Sequence, residues 1–130
     1  MSFKDRRKEV ETAMFDMLQI RLPDVKWSKR FKGFQRGKGL VGSLVGDRTD
    51  FEHDAKNKIE ATGRYVIIIT DSEHLDTVDD IADEVFELLD DDDLNGTATV
   101  CDVKRISLAS APTKEDAGAA ILELVVKYYV

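Results

Sequence analysis

Residues 58–89 constrain the fold most, because their hydrophobic period changes from about two to about 3.6 partway along. Over residues 58–70, Ile59, Ala61, Gly63, Tyr65, Ile67 and Ile69 alternate onto one face of a strand. Val66 and Ile68 add apolar side chains on the other face, so the end from Tyr65 to Ile69 is expected to be covered on both sides. A polar turn, Asp71–Ser72–Glu73–His74, then leads to Asp76, which suits a helix N-cap. Val78, Ile81, Ala82, Val85, Leu88 and Leu89 follow at helical spacing. A strand running at once into a one-sided helix predicts a sheet with a helix laid across it.

The flanking segments fit around that pair. Ser2 can cap a first helix over residues 3–19, with Asp5 completing a capping box. Val10, Ala13, Met14, Met17 and Leu18 form its apolar stripe; Lys4, Arg6, Arg7, Lys8, Glu9 and Glu11 are expected to face water. Leu22–Pro23–Asp24 stops it. Residues 25–31 alternate as a short edge strand. Five glycines (Gly33, Gly37, Gly39, Gly42 and Gly46) then mark residues 33–57 as a mobile loop, arm or loose hairpin that orders against a partner, with Leu44–Val45 able to form a short pairing. After the second helix comes an acidic turn, residues 90–96. A β-hairpin follows, outward over residues 97–110 with a bulge near Asp102–Val103, and back over residues 118–130. Leu122, Leu124, Val126 and Tyr128 are its expected buried face. The predicted fold class is α+β: one domain over residues 1–130, with a mixed, mostly antiparallel β-sheet, two helices packed on one face and a long glycine-rich loop.

Composition narrows the function. At 130 residues and 42% hydrophobic, the chain has enough apolar material for a single core. It has no apolar run long enough to cross a membrane, and no secretion-signal pattern at Met1 to Glu11; a cytoplasmic protein with no membrane partner is expected. One cysteine, Cys101, suits a reducing compartment. A net charge of −7 opposes general nucleic-acid binding. The charge is also unevenly spread, at +6 over residues 1–40 and −13 over residues 41–130. Two ordinary solvated surfaces would explain this. So would a molecule with a basic side and an acidic side, suited to head-to-tail association.

Several motifs invite a chemical reading. Gly37, Gly39 and Gly42 have the spacing of a dinucleotide-binding loop, but that mechanism needs a buried strand before them and a helix opening at the third glycine. A lysine-rich edge strand precedes them instead, and Gly46 interrupts any helix. Asp91, Asp93, Asn95, Gly96 and Asp102 match calcium-loop positions, yet Asp102 replaces the usual bidentate Glu and a strand pattern follows. A solvated acidic turn is the plainer reading. Trp27 and Phe31 among Lys26, Lys29, Arg30 and Lys32 resemble an aromatic-basic nucleic-acid patch, or an edge strand blunted by charge. The acidic remainder favours the edge strand. His53 and His74 lack partners at metal spacing, and Cys101 lacks a nucleophile motif. No catalytic set, metal site or cofactor site is assembled from these residues, so a non-enzyme without cofactors is expected.

Three segments together carry a family resemblance: the opening helix ending at Leu22–Pro23–Asp24–Val25, the strand Ala61–Thr62–Gly63–Arg64–Tyr65–Val66–Ile67–Ile68, and the final strand from Ala119 to Tyr128. With the glycine-rich excursion between them, the chain resembles the tail terminator (tail completion, head-tail joining) proteins of long-tailed bacteriophages and prophages. That resemblance implies a structural protein of the virion, assembled in the host bacterial cytoplasm. It implies a ring of copies of itself, typically a hexamer, that caps the tail tube protein and meets the head-tail connector protein. The family supplies no catalytic motif. Interaction residues are therefore assigned by charge alone: the basic stretch Lys26, Trp27, Lys29, Arg30, Lys32, Arg36 and Lys38, and the acidic stretch Asp90, Asp91, Asp92 and Asp93. A small adaptor that binds one partner protein through the same basic strand and loop is the alternative, ahead of a calcium- or nucleotide-binding module.

Overall fold

The computed structural model describes residues 2–29, 39–53, 58–71, 75–110 and 118–130. The order is α1 (Phe3–Arg21), β1 (Lys26–Ser28), β2 (Leu40–His53), β3 (Ile59–Asp71), α2 (Leu75–Leu89), β4 (Val100–Ser110) and β5 (Gly118–Tyr129). The strands form one sheet in the order β1-β2-β3-β5-β4. β1 is parallel to β2, and every other neighbouring pair is antiparallel. α2 carries the chain past the position of β5 to the far edge, where β4 starts; β5 then returns into the gap beside β3. This is the expected single α+β domain with both helices on one face.

The core lies between that face and the helices. Tyr65, Ile67 and Ile69 of β3 meet Leu122, Leu124, Val126 and Tyr128 of β5, all at most 3% exposed. Val10, Met14 and Leu18 of α1 and Val78, Ala82, Val85 and Leu89 of α2 close over them. On the other face Val66, Ile68 and Ile121 are half-buried, while Ser43, Thr70, Ala119 and Val125 are at most 8% exposed, so both sides of β3 are at least partly covered.

The capping box of α1 forms as expected, with Ser2 accepting from the Asp5 N–H. The helix runs two residues beyond Gln19, and the Leu22 N–H closes on the Leu18 carbonyl at 2.9 Å. Arg6 does not simply face water. Its guanidinium donates to the Tyr129 and Thr97 carbonyls (3.0 and 2.9 Å), fastening the start of α1 to the end of β5 and the turn before β4. α2 begins at Leu75, so Asp76 lies in its first turn rather than at the cap, still favoured there by the helix dipole.

The largest departure is β2. Leu40–His53 is a fourteen-residue strand, paired with β3 at every position but Asp47, where the glycine content predicts a mobile arm or loose hairpin with only a short pairing at Leu44–Val45. Gly42 serves packing instead: a Cβ there would lie 2.4 Å from the Trp27 ring, whereas one on Gly46 would make only an ordinary contact with Tyr65 at 3.5 Å. A bulge at Asp47, between Gly46 and Arg48, shifts the register by one residue. The rest of the predicted arm, residues 33–38 and 54–57, lies outside the described residues. In the hairpin, β4 begins at Val100, because the Thr97 hydroxyl donates to the Leu94 carbonyl and holds Thr97 in the turn. The expected bulge falls between Val103 and Arg105.

Candidate interaction surfaces

β1 places the described basic residues on one edge of the sheet. Lys26 is exposed, and Lys29 is exposed with its ammonium 5.3 Å from the centre of the Phe15 ring. Trp27 is taken up within the subunit: its ring packs on Gly42 and its Nε1–H donates to the Leu22 carbonyl at 3.1 Å. It braces the edge strand and presents little to a partner. Arg30, Lys32, Arg36 and Lys38 lie outside the described residues.

The acidic stretch sits in the connection from α2 to β4, beside the opposite edge. Four strand spacings of about 4.8 Å separate the two edges, or about 19 Å. The two stretches also differ in height along the strands. β1 pairs beside the segment of β2 that faces Ile68 to Thr70, whereas Cys101 is level with Val126 and Gly63. Opposite charges therefore occupy diagonal corners of one sheet.

Within the turn the four carboxylates have different tasks. Asp90 accepts from the Val103 N–H (2.9 Å) and Asp92 from the Leu94 N–H (2.8 Å). Asp91 has φ of 59° and donates its N–H to the Cys101 carbonyl. Asp90 and Asp92 build the turn, while Asp91 and Asp93 are exposed. The chain then enters a strand, and Asp102 on that strand is 3.9 Å from Lys104. Among the described residues no group of three or more His, Cys, Asp or Glu side chains converges as a metal site would require. Gly39, with φ of 70°, opens β2, and Gly42 sits within that strand, so the last two glycines of the dinucleotide spacing front no helix.

One surface escaped the residue-by-residue assignment. Asp76, Asp79, Asp80, Asp83, Glu84 and Glu87 are all exposed on α2, a helix with no basic residue. Their spacing of three and one repeats out of phase with the buried stripe, so a helical projection of the sequence would have revealed it. With Asp91 and Asp93 this makes one acidic face. Between α1 and α2 it borders a groove of about 700 Å³. A second concavity of about 410 Å³, between α1 and β2, contains Arg7, Glu11, Arg48, Arg64 and Tyr65. There the Tyr65 hydroxyl donates to Glu11 (3.0 Å); burial, reinforced by that carboxylate, holds it protonated far above neutral pH. Arg48 and Arg64 both approach Asp50, at 3.5 and 3.8 Å.

Cys101 is fully buried on the core face of β4. Burial, and then Asp102, Asp90 and Asp92, push its thiol up to about 12 from an ordinary 9.0. Above pH 9 the unfolded thiol ionises while the folded one keeps its proton, so the unfolded state binds fewer protons. This contribution to stability is full below about pH 9 and is lost as the pH rises towards 12. Urea unfolding between pH 7 and 11 should show a shallower alkaline decline for Cys101→Ala than for the natural protein. A native thiol that reacts freely with a disulfide reagent at pH 8 would contradict the burial.

No protein-family model matches the chain, and no curated protein matches it. A solved structure of a protein with no descriptive name is similar over 100% of this chain and 99% of its own, at 18% identity and a TM-score of 0.55. At that identity the likeness shows a shared fold. Among the described residues no helix is long and apolar enough to cross a membrane.

Proposed function

We propose that the protein is a structural virion-assembly protein of the tail terminator kind. Copies associate head to tail into a ring, typically of six, which caps the tail tube and offers a surface to the head connector. The observation that carries this reading is the diagonal placement of Lys26 and Lys29 against the acidic turn on one sheet. In a heterologous ring each subunit presents different surfaces to its two neighbours, and opposite charges at separated corners set their orientation. Exposed Ile106 (42%) and Leu108 (50%) on β4, the edge strand among the described residues, add apolar area that an assembly would cover.

Light scattering across a concentration series, at low and high salt and with purified tail tubes added, tests the proposal. The expected result is a ring-sized species weakened by salt, or capped tube ends when the free protein is a monomer. A protein that stays monomeric and leaves tubes uncapped would overturn it. An adaptor for one basic partner protein is the second reading, favoured by six exposed carboxylates on one helix. It predicts a 1:1 complex and no ring.

A further inference from the structure

We infer that the carboxylate ridge of α2 docks into a basic cleft on the helix-free face of the sheet of a second copy of this chain, an assignment that rests on the ring reading. The cleft, of about 370 Å³, is lined by Arg48 of β2, Arg64 of β3 and Lys104 and Arg105 of β4, against Asp47 and Glu123. Arg64 alternates with the buried Tyr65, and Glu123 with the buried Leu124, so these side chains stand on the face away from both helices. All four cations are exposed. By register Lys26 of β1 and Lys127 of β5 stand on that face as well, so the basic edge and the cleft belong to one surface.

Charge selects the occupant. Four cations to two carboxylates line the cleft, the reverse of a chain whose net charge is −7. Their pairs within the subunit are long and exposed. Arg48 and Arg64 share Asp50 at 3.5 and 3.8 Å, Lys104 is 3.9 Å from Asp102, and Arg105 is 3.3 Å from Glu123. Exposed pairs of this kind contribute little, and the guanidiniums keep donors for an incoming carboxylate. The acidic helix has carboxylates to give: among the described residues no ion pair is formed by Asp76, Asp80, Asp83 or Glu87.

Dimensions and position agree with charge. Asp76, Asp80, Asp83 and Glu87 recur at i, i+4, i+7 and i+11, a ridge on the side of α2 opposite the buried Val78 and Val85. At 1.5 Å per residue the ridge is about 16 Å long. From Arg48 on β2 to Arg105 on β4 is three strand spacings, about 14 Å. A convex negative ridge therefore matches a concave positive cleft in sign and in length. α2 lies on one face of the sheet and the cleft on the other, so each copy carries both halves and can use them at once, as a head-to-tail contact requires.

Charge reversal tests the pairing. Asp80→Lys with Asp83→Lys should weaken self-association about tenfold, and so should Arg64→Glu with Arg105→Glu. Combining all four should recover most of the loss. Lys4→Glu with Lys8→Glu, on exposed positions of α1, restores the same net charge to the α2 variant and should recover nothing. Circular dichroism and melting temperature report folding; for a reversal that unfolds the chain, Asp80→Asn with Asp83→Asn and Arg64→Gln with Arg105→Gln take its place and should each weaken assembly several-fold. If the natural protein assembles and the folded variants of either surface assemble equally well, the cleft assignment falls and the ring stands. Weakening by each pair without recovery in the fourfold variant means that the surfaces meet different partners, and recovery by the α1 changes means that net charge alone acts; both overturn the assignment. A natural protein that never assembles, alone or on tubes, overturns the ring reading and this assignment with it.

Discussion

Gly42→Ala is expected to destabilise the protein by about 2–3 kcal/mol and to shift Trp27 fluorescence towards a more exposed environment. The added Cβ would lie 2.4 and 2.5 Å from two ring carbons of Trp27, well inside van der Waals contact. Either the ring moves or the β1–β2 pairing opens. Movement of the ring also costs the Nε1–H bond to the Leu22 carbonyl, which ties the end of α1 to the edge strand. Trp27 is the only tryptophan, so its emission reports this site alone. Trp27→Leu removes the rigid plane, and Gly42→Ala in that background should cost much less than in the natural protein. Such non-additivity is the signature of direct contact. Near-neutral Gly42→Ala, or strict additivity, would mean that Gly42 is not there to admit the ring.

Leu122→Ala is expected to cost about 2–5 kcal/mol in urea unfolding. Leu122 is 0% exposed on β5, a central strand, and pairs with Ile67 on β3 and Ile106 on β4. Truncation leaves a void beneath both helices, in a layer whose β3 and β5 residues have no room to collapse. Leu108→Ala provides the comparison. Leu108 lies on the same face but on the edge strand and is half exposed, so its loss should stay within about 0.5 kcal/mol in the monomer. Similar costs at the two positions would show that the core is not centred on β5. If Leu108→Ala instead weakens assembly while leaving the monomer stable, β4 belongs to the subunit contact.

The elements most legible in the sequence were those with a strong period and local chemistry. The alternation around Tyr65, Ile67 and Ile69, the stripe from Val78 to Leu89 and the Ser2–Asp5 box specify their structures within a few neighbouring residues. β2 was not legible in the same way. Gly42 reads as a loop signal because its purpose, making room for Trp27, depends on a residue of another strand. Arg6 was assigned to solvent for a similar reason, since both of its carbonyl partners come from the far end of the chain.

The candidate surfaces divide along the same line. Composition alone separates a basic first third from an acidic remainder, and a helical projection of the polar positions would have put six carboxylates on one side of α2. Charge and period are properties of the chain, so they survive without coordinates. Which charges are free to meet a partner is a property of the packed molecule. Asp90 and Asp92 are partly consumed by backbone N–H groups of the turn, and Trp27 by the glycine beneath it. Only the strand order β1-β2-β3-β5-β4 puts the basic edge and the acidic turn at opposite corners. That order follows from long-range pairing, in which β5 inserts between β3 and β4, and no local sequence pattern encodes which strands will become neighbours.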